Sequence, residues 1–314
     1  MSVDTAALRP EPGTPPGAPA SAIDFETTRE VGYYSLVWRR FRSRKIALLA
    51  IAVIAFITAS CFLVPLFLPP NVPDAGNGYA GLSLAHPFGT DEIGRDLFTR
   101  TLLGGQISLE VGLFAMILTI VIATTLGAIS GFVAGFVDSI VTLLTNALLG
   151  IPGIVLLILV SKILVAAGVS PVTGVILAIG FISWPSTSRI IRSVVLSLRE
   201  KEYVEAARAL GTTRMRTILR HILPNALGPI IVSATFAVVG AILLESALSF
   251  LGLGIGIPTA TWGALLDGGY IATTAHNDFL YAFWPGISIL ITVLCFAYVG
   301  DALRDAFDPR SFER

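Results

Sequence analysis

The chain has 314 residues, of which 54% are hydrophobic and 13% are charged. This composition excludes an ordinary soluble globular domain and indicates a protein with several membrane-spanning segments. The 21 basic and 21 acidic residues give a formal net charge of zero, so the charge balance gives no indication of a nucleic-acid partner, and the positions of the charges are more informative than their sum.

The first 45 residues differ from the rest of the chain. Residues 1–30 are rich in proline, alanine and glycine and are predicted to form a disordered tail without a cleavable signal peptide. Residues 31–45 combine aromatic and aliphatic side chains with five basic residues. This mixture predicts an amphipathic segment that lies on the membrane surface.

Runs without charged residues predict six transmembrane helices, because a bilayer core requires about 20 residues of helix. The predicted spans are residues 46–68, 111–137, 139–161, a segment within 163–188, a segment from about 226 to beyond Glu245, and residues 281–300. Residues 246–266 form another such run, but its glycines and Pro258 indicate that only its start belongs to span five. The predicted fold class is an all-α membrane protein.

The lysines and arginines predict the orientation, because cytoplasmic loops carry an excess of them. With the N-terminus inside, all of the 21 basic residues except Arg95, Arg100 and Lys162 fall on the inner side. Both termini are therefore predicted to be cytoplasmic.

The predicted order of segments along the chain begins with a disordered tail (1–30), the surface segment (31–45), and the first span with an outer loop (46–104). A core of five spans (105–303), which includes a cytoplasmic loop at 190–224, and a cytoplasmic tail (304–314) follow.

The loop between spans four and five has a helix–turn–helix pattern. Tyr203, Ala207 and Leu210 fall on one face of a helix, and Gly211 is suited to end it because glycine adopts the left-handed conformation at little cost. A second helix carries apolar residues opposite Arg216 and Arg220, namely Met215, Ile218, Leu219, Ile222 and Leu223. We expect the apolar faces to contact the membrane domain. A loop that only enforced topology would not need this pattern.

This loop resembles the EAA loop of ABC importer permeases. The resemblance is carried by Glu205-Ala206-Ala207, Gly211 and His221-Ile222-Leu223-Pro224, although the general pattern has isoleucine where His221 stands. Further motifs are similar to the C-type permease subunit of dipeptide, oligopeptide and nickel ABC importers. They are His86-Pro87-Phe88-Gly89-Thr90-Asp91, Glu245-x2-Leu248-Ser249-Phe250-Leu251-Gly252, and Gly300-Asp301-x-Leu303-Arg304-Asp305.

The resemblance implies a type I ABC importer permease (MetI-like) fold in the bacterial cytoplasmic (inner) membrane. It implies that the chain assembles with a homologous B-type permease and two ABC ATPase subunits. It further implies an extracytoplasmic substrate-binding protein, which would dock on outer loops 69–104 and 253–279. The remaining implied partners are membrane lipid and a peptide substrate. The loop would be the coupling helix that docks on an ATPase subunit. The coupling residues that this implies are Tyr203, Glu205, Ala206, Ala207, Leu210, Gly211 and Met215.

The chain lacks a motif for its own ATP chemistry. No Gly-x4-Gly-Lys-Ser/Thr sequence occurs, and the only lysines are Lys45, Lys162 and Lys201. We therefore expect a non-catalytic subunit that binds no cofactor, with ATP and Mg on the partner ATPases. His86 and His276 lack a second ligand at metal spacing, so no metal site is expected.

Several residues inside the spans are further candidates. Asn146 and Glu245 are candidates for lining a pathway, because polar groups within spans usually face protein or water. Glu245 lies near the outer end of its span, so a structural hydrogen bond is an equal alternative. Pro152 is expected to kink span three. A double small-x3-small pattern predicts close helix packing through Gly127, Gly131 and Gly135.

Other functions remain open at this point. Related permeases serve nickel chelates, haem or opines, and the sequence does not distinguish these from peptides. A secondary transporter driven by an ion gradient is a more distant alternative, but it would favour several acidic groups at mid-membrane. A channel-like or structural membrane component is the third alternative.

Overall fold

The computed structural model describes residues 33–256, 258–276 and 278–308. Within these ranges the chain is helical, and its one β-bridge pairs Thr90 with Asp96. The predicted tail 1–30 and residues 309–314 of the predicted C-terminal tail lie outside the described residues.

Eleven α-helices are formed by the described residues. They are α1 (Tyr33–Ser43), α2 (Lys45–Leu63), α3 (Leu97–Val133), α4 (Gly135–Leu149), α5 (Gly153–Ala166), α6 (Pro171–Arg199), α7 (Glu202–Ala209), α8 (Arg214–Thr217), α9 (Leu223–Phe250), α10 (Trp262–His276) and α11 (Phe279–Phe307). Five helices are long and apolar enough to cross a membrane, and the bent pair α4–α5 makes six if it counts as one span. Each of the six predicted spans overlaps one of these segments.

The third predicted span is broken rather than continuous. The axes of α4 and α5 differ by 94°, because Pro152 cannot donate a backbone hydrogen bond and disfavours a helical conformation of the residue before it. The predicted kink at Pro152 is thus confirmed. Asp138 holds α4 against α6, since both its oxygens accept hydrogen bonds of 2.6 Å from Arg192.

Two helices are longer than predicted. α3 begins at Leu97, where the Asp96 carboxylate accepts a hydrogen bond of 2.8 Å from the backbone N–H of Thr99. The predicted start at Val111 and the predicted outer loop up to residue 104 are therefore wrong, because Glu110 lies inside the helix and does not mark its boundary. At the other end of the chain, α11 continues to Phe307, into the predicted tail.

The predicted outer loop at 253–279 contains the 15-residue helix α10. Small residues let this helix approach its neighbours closely. A Cβ atom on Gly263 would lie 2.5 Å from the carbonyl oxygen of Ser246 in α9, and one on Gly269 would lie 2.5 Å from Cα of Ala282 in α11. The predicted extramembrane segment is thus partly helical, and α9 ends at Phe250, within the run whose start was predicted to belong to span five.

α3 and α6 form the centre of the bundle. A Cβ atom on Gly127 would lie 2.7 Å from the carbonyl oxygen of Ser188, and one on Gly131 would lie 2.9 Å from that of Arg192. Gly135 does not share this packing, because nothing lies within 4 Å of its Cβ position. It opens α4 with a φ of +63°, so its requirement for glycine is conformational and not steric.

α1 is amphipathic. Its Val37 and Phe41 are buried against Ala302 and Ala306 of α11, while Trp38 on the other face is 61% exposed. This division of polar and apolar faces suits a helix that lies along the membrane surface.

Candidate functional site

α7 is a short helix that lies outside the long bundle helices and ends at a glycine. Gly211 has a φ of +79°, its N–H donates to the carbonyl of Arg208 at 2.9 Å, and the N–H of Thr212 donates to that of Ala207 at 3.2 Å. This is the left-handed helix end that glycine favours. The predicted break at Gly211 is therefore confirmed.

The inner face of α7 fastens it to the ends of α3 and α6. Val204 is fully buried and Ala207 is 8% exposed, and Val204 packs in one cluster with Phe132 and Val195. The guanidinium carbon of Arg208 lies 4.6 Å from the centre of the Phe132 ring, within the range of a cation–π contact.

The outer face of α7 and α8 exposes large apolar side chains. Exposed fractions are 41% for Tyr203, 87% for Leu210, 55% for Met215 and 56% for Leu219. The predicted apolar faces are therefore wrong at these positions, and only Ala207, Ile218 and Ile222 of the residues expected to face inward are buried. Glu205, Ala206 and Gly211 are also exposed. Six of the seven predicted coupling residues are thus exposed within the segment of residues 202–217, whose exposed surface is here called the 202–217 face.

Grouped apolar side chains on a protein surface outside the spans mark interaction sites. Partial burial raises the pKa of the Tyr203 phenol above its ordinary value, so this ring presents a neutral hydroxyl at physiological pH. The 202–217 face can therefore bury apolar and neutral polar groups against a second protein.

The 202–217 face is mechanically continuous with the bundle. Arg214–Phe250 is a single 37-residue helical segment, interrupted only by a π-helical turn at Ile218–Ile222. Pro224 is the second residue after this turn and lacks the N–H of a regular α-helix, which accounts for the local widening. A displacement of α8 would therefore be transmitted directly into α9.

A cleft of about 810 Å³ lies between α3, α6 and α9, with the end of α11 closing one side. Its walls are apolar except for hydroxyl groups from Thr119, Ser183, Ser186, Thr187 and Ser233, and its charged residues are Arg304 and Asp308. Such a lining can hydrogen-bond to uncharged polar groups such as peptide amides. The sequence analysis missed this set, although Ser183, Ser186 and Thr187 have the spacing of one helix face.

The two predicted pathway residues lie elsewhere. The Asn146 side-chain oxygen accepts a hydrogen bond of 2.6 Å from Arg189. Glu245 is fully buried and accepts hydrogen bonds from Ser108 at 3.0 Å and Ser249 at 2.8 Å. Neither is among the described residues that line the cleft. For Glu245 this enclosure favours the structural alternative, and a pathway role for either residue stays a prediction.

The opposite end of α3 carries a compact cap, defined as residues 71–96. Asp91 at its centre is fully buried and lies 2.6 Å from Arg95 Nε and 3.5 Å from a guanidinium nitrogen of Arg100. Phe88 stacks on Trp284 of α11, with ring centres 3.9 Å apart. No cluster of His, Cys, Asp and Glu that could hold a metal ion occurs among the described residues.

A bundle of apolar helices around a hydroxyl-lined cleft, with one helix presented outside the bundle, defines a membrane transport component. The chain belongs to the family of binding-protein-dependent transport system inner membrane components, whose sequence profile matches residues 123–313. Residues 32–84 match the N-terminal transmembrane domain of oligopeptide transport permease C. The predicted family and a multi-pass location in the inner membrane are thereby confirmed.

Relatives cover nearly the whole chain. The dipeptide transport system permease protein DppC of Alkalihalophilus pseudofirmus is 36% identical, over 96% of both chains. The oligopeptide transport system permease protein OppC of Haemophilus influenzae is 40% identical, over 87% of both. The glutathione transport system permease protein GsiD of Shigella dysenteriae is 38% identical, over 87% of this chain and 89% of that protein.

The solved structures support the predicted fold. An inward-facing structure of the MetNI methionine ABC transporter contains a chain that matches with a TM-score of 0.54 and 20% identity. The match covers 68% of this chain and 96% of that one. At this identity the likeness establishes the fold alone, which agrees with the predicted MetI-like permease fold.

Proposed function

We propose that this chain is the permease subunit of an ATP-driven importer of dipeptides or short oligopeptides and forms half of its translocation pathway. The relatives named above are described as permeases for dipeptides, oligopeptides and glutathione, which are all short peptides. The cleft lined by hydroxyl groups suits peptide amides of any sequence, because its walls carry few fixed charges that would select a side chain.

The 202–217 face carries the proposal. It is anchored by Val204 and Ala207, yet it exposes Leu210 and Met215 to solvent, which fits a surface completed by another protein. We assign it to docking on an ATPase subunit. Closure of the ATPases would then move α8 and, through the continuous segment Arg214–Phe250, shift the cleft between two states.

The remaining parts of the transporter follow from this assignment. Both termini and the 202–217 face lie in the cytoplasm, and the cap faces the extracytoplasmic substrate-binding protein. The chain is non-catalytic, and ATP and Mg bind to two partner ATPase subunits. A homologous B-type permease supplies the other half of the pathway.

The test is ATP-dependent uptake of a labelled dipeptide into vesicles that contain the co-expressed transporter. Leu210→Glu places a charge on the exposed face and should abolish uptake and the retention of ATPase subunits during purification. Leu84→Glu is the matched control, because Leu84 is also fully exposed but lies in the cap. This variant should retain the ATPase subunits.

Two outcomes would contradict the proposal. Undiminished uptake by a normally inserted Leu210→Glu transporter would exclude docking through this face. Uptake that is driven by a proton or sodium gradient in the absence of ATP would favour the secondary-transporter alternative instead.

A further inference from the structure

A second cavity lies where the bundle meets the 202–217 face. It measures about 310 Å³ and is lined by Phe132 and Val133 at the end of α3 and by Arg208, Thr212, Arg214 and Thr217. No acidic residue lines it. The cavity is therefore polar and positively charged, with an apolar floor.

The hydrogen-bond donors that face this cavity are guanidinium groups. The hydroxyls of Thr212 and Thr217 donate to the carbonyls of Ala207 and Thr213, so their protons are already used. Arg208 and Arg214 form no ion pair with any carboxylate in the described part of the chain. Two guanidinium groups around one small cavity suit an anion with several acceptor oxygens, such as a phosphate.

One of the two arginines is held in place in the absence of a ligand. The guanidinium of Arg208 lies over the Phe132 ring, and Phe132 itself is only 6% exposed. The cation therefore has a defined position, and less side-chain entropy is lost when an anion binds.

The cavity lies at the end of a helix that is longer than the hydrocarbon core of a bilayer. α3 has 37 residues, a length of about 55 Å at 1.5 Å per residue, whereas the hydrocarbon core is about 30 Å thick. α3 therefore extends past the hydrocarbon core, and Val133 is its last residue. Phe136 follows three residues later and is 80% exposed, so an apolar side chain close in sequence to the cavity lining is free to contact lipid.

We propose that this cavity binds the phosphate of an anionic phospholipid, with Arg208 and Arg214 as its ligands and the acyl chains passing over Phe136. Basic pockets between transmembrane helices at the membrane surface are suited to such headgroups. A bound lipid would stiffen the junction between α3 and the 202–217 face. The site does not depend on which substrate the protein transports.

The test measures which lipids stay bound to the purified full-length chain. The protein is extracted from nanodiscs of phosphatidylcholine with a minor share of phosphatidylglycerol, and native mass spectrometry compares bound lipid with the bulk composition. We expect enrichment of phosphatidylglycerol, reduced about fivefold for each arginine replaced by glutamine at positions 208 and 214.

Three controls separate the site from general charge effects. Arg216→Gln with Arg220→Gln removes the same charge from exposed positions outside the cavity and should keep the enrichment. Arg208→Lys with Arg214→Lys should keep most of it. The single variant Arg214→Gln changes only an exposed side chain, so it is expected to fold normally. It should lower the enrichment of phosphatidylglycerol even if the double variant folds poorly.

Four results would overturn the proposal. They are no enrichment in the unmodified chain, equal loss in both glutamine double variants, complete displacement of the lipid by inorganic phosphate, and unchanged enrichment in the 208/214 double variant when the same variant, co-expressed with the ATPase subunits, loses them during purification. The third result would assign the cavity to free phosphate, and the fourth to an acidic group of the partner protein.

Discussion

The two ends of α3 are built in opposite ways. At the Leu97 end, the cap encloses one carboxylate, that of Asp91, which lies 2.6 Å from Arg95 within the chain itself. At the Val133 end, the 202–217 face leaves Leu210 87% exposed, and its arginines at 208 and 214 face an open cavity. The buried carboxylate of the first region is paired within the chain, whereas the second region has apolar and basic groups available for a partner.

This difference separates stability from function. Where a chain satisfies its own buried polar groups, substitutions act mainly on folding. Where exposed apolar groups await a partner, substitutions act on assembly and leave folding nearly unchanged. The following predictions test this division, from the largest expected effect on the free energy of unfolding to the smallest.

Asp91→Asn should have the largest effect. The substitution leaves Arg95 and Arg100 without their buried carboxylate, a change that costs about 3 kcal/mol when a buried ion pair is broken. Thermal unfolding in detergent measures the loss. Glu92→Gln is the control, because this neighbouring side chain is exposed, and equal melting temperatures for the two variants would contradict the role of Asp91.

Glu245→Leu should destabilise the chain by about 2 kcal/mol, because the buried hydroxyls of Ser108 and Ser249 lose their acceptor. Glu245→Gln keeps one acceptor oxygen and should cost less. If Glu245→Leu left thermal stability unchanged and abolished uptake, Glu245 would belong to the pathway and the structural assignment would be wrong.

Gly127→Ala should destabilise by about 1 to 2 kcal/mol, because the added methyl group would lie 2.7 Å from the Ser188 carbonyl and force α3 and α6 apart. Gly153→Ala is the matched control, since nothing lies within 4 Å of its Cβ position. Equal stability of the two variants would show that the α3–α6 contact tolerates a larger separation.

Leu210→Glu should change the free energy of unfolding by less than about 0.5 kcal/mol, because the side chain makes few contacts within the chain. The same detergent melting experiment measures this value. A large destabilisation would mean that Leu210 belongs to the core of the chain, and any loss of uptake would then be a folding defect.

The sequence predicted features that depend on local chemistry. The charge-free runs located all six spans, Pro152 located the break in the third, and Gly211 located the end of α7. Each of these depends on the residues themselves and on their immediate neighbours, so no knowledge of the tertiary structure was needed.

The sequence did not predict features that depend on packing. Helical spacing fits two stripes in this segment, one through Tyr203, Ala207 and Leu210 and the other through Val204 and Ala207. Only the position of Phe132 in the folded chain decides which stripe is buried. Gly135 continues the small-x3-small pattern of Gly127 and Gly131 in the sequence, although α3 ends two residues before it. α10 was missed because the glycines before Trp262 indicated a loop, and the contacts with α9 and α11 that stabilise the helix are distant in sequence.

The central claim is that the 202–217 face is covered by an ATPase subunit, and cysteine cross-linking tests it most directly. Leu210→Cys introduces an exposed thiol, whereas the two native cysteines, Cys61 and Cys295, are buried and partly buried. In the assembled transporter, a short cross-linker should join position 210 to an ATPase subunit, while Leu84→Cys in the cap should form no cross-link to an ATPase subunit. A Leu210→Cys transporter that forms no cross-link and stays equally open to a water-soluble maleimide with and without the ATPases would contradict the account.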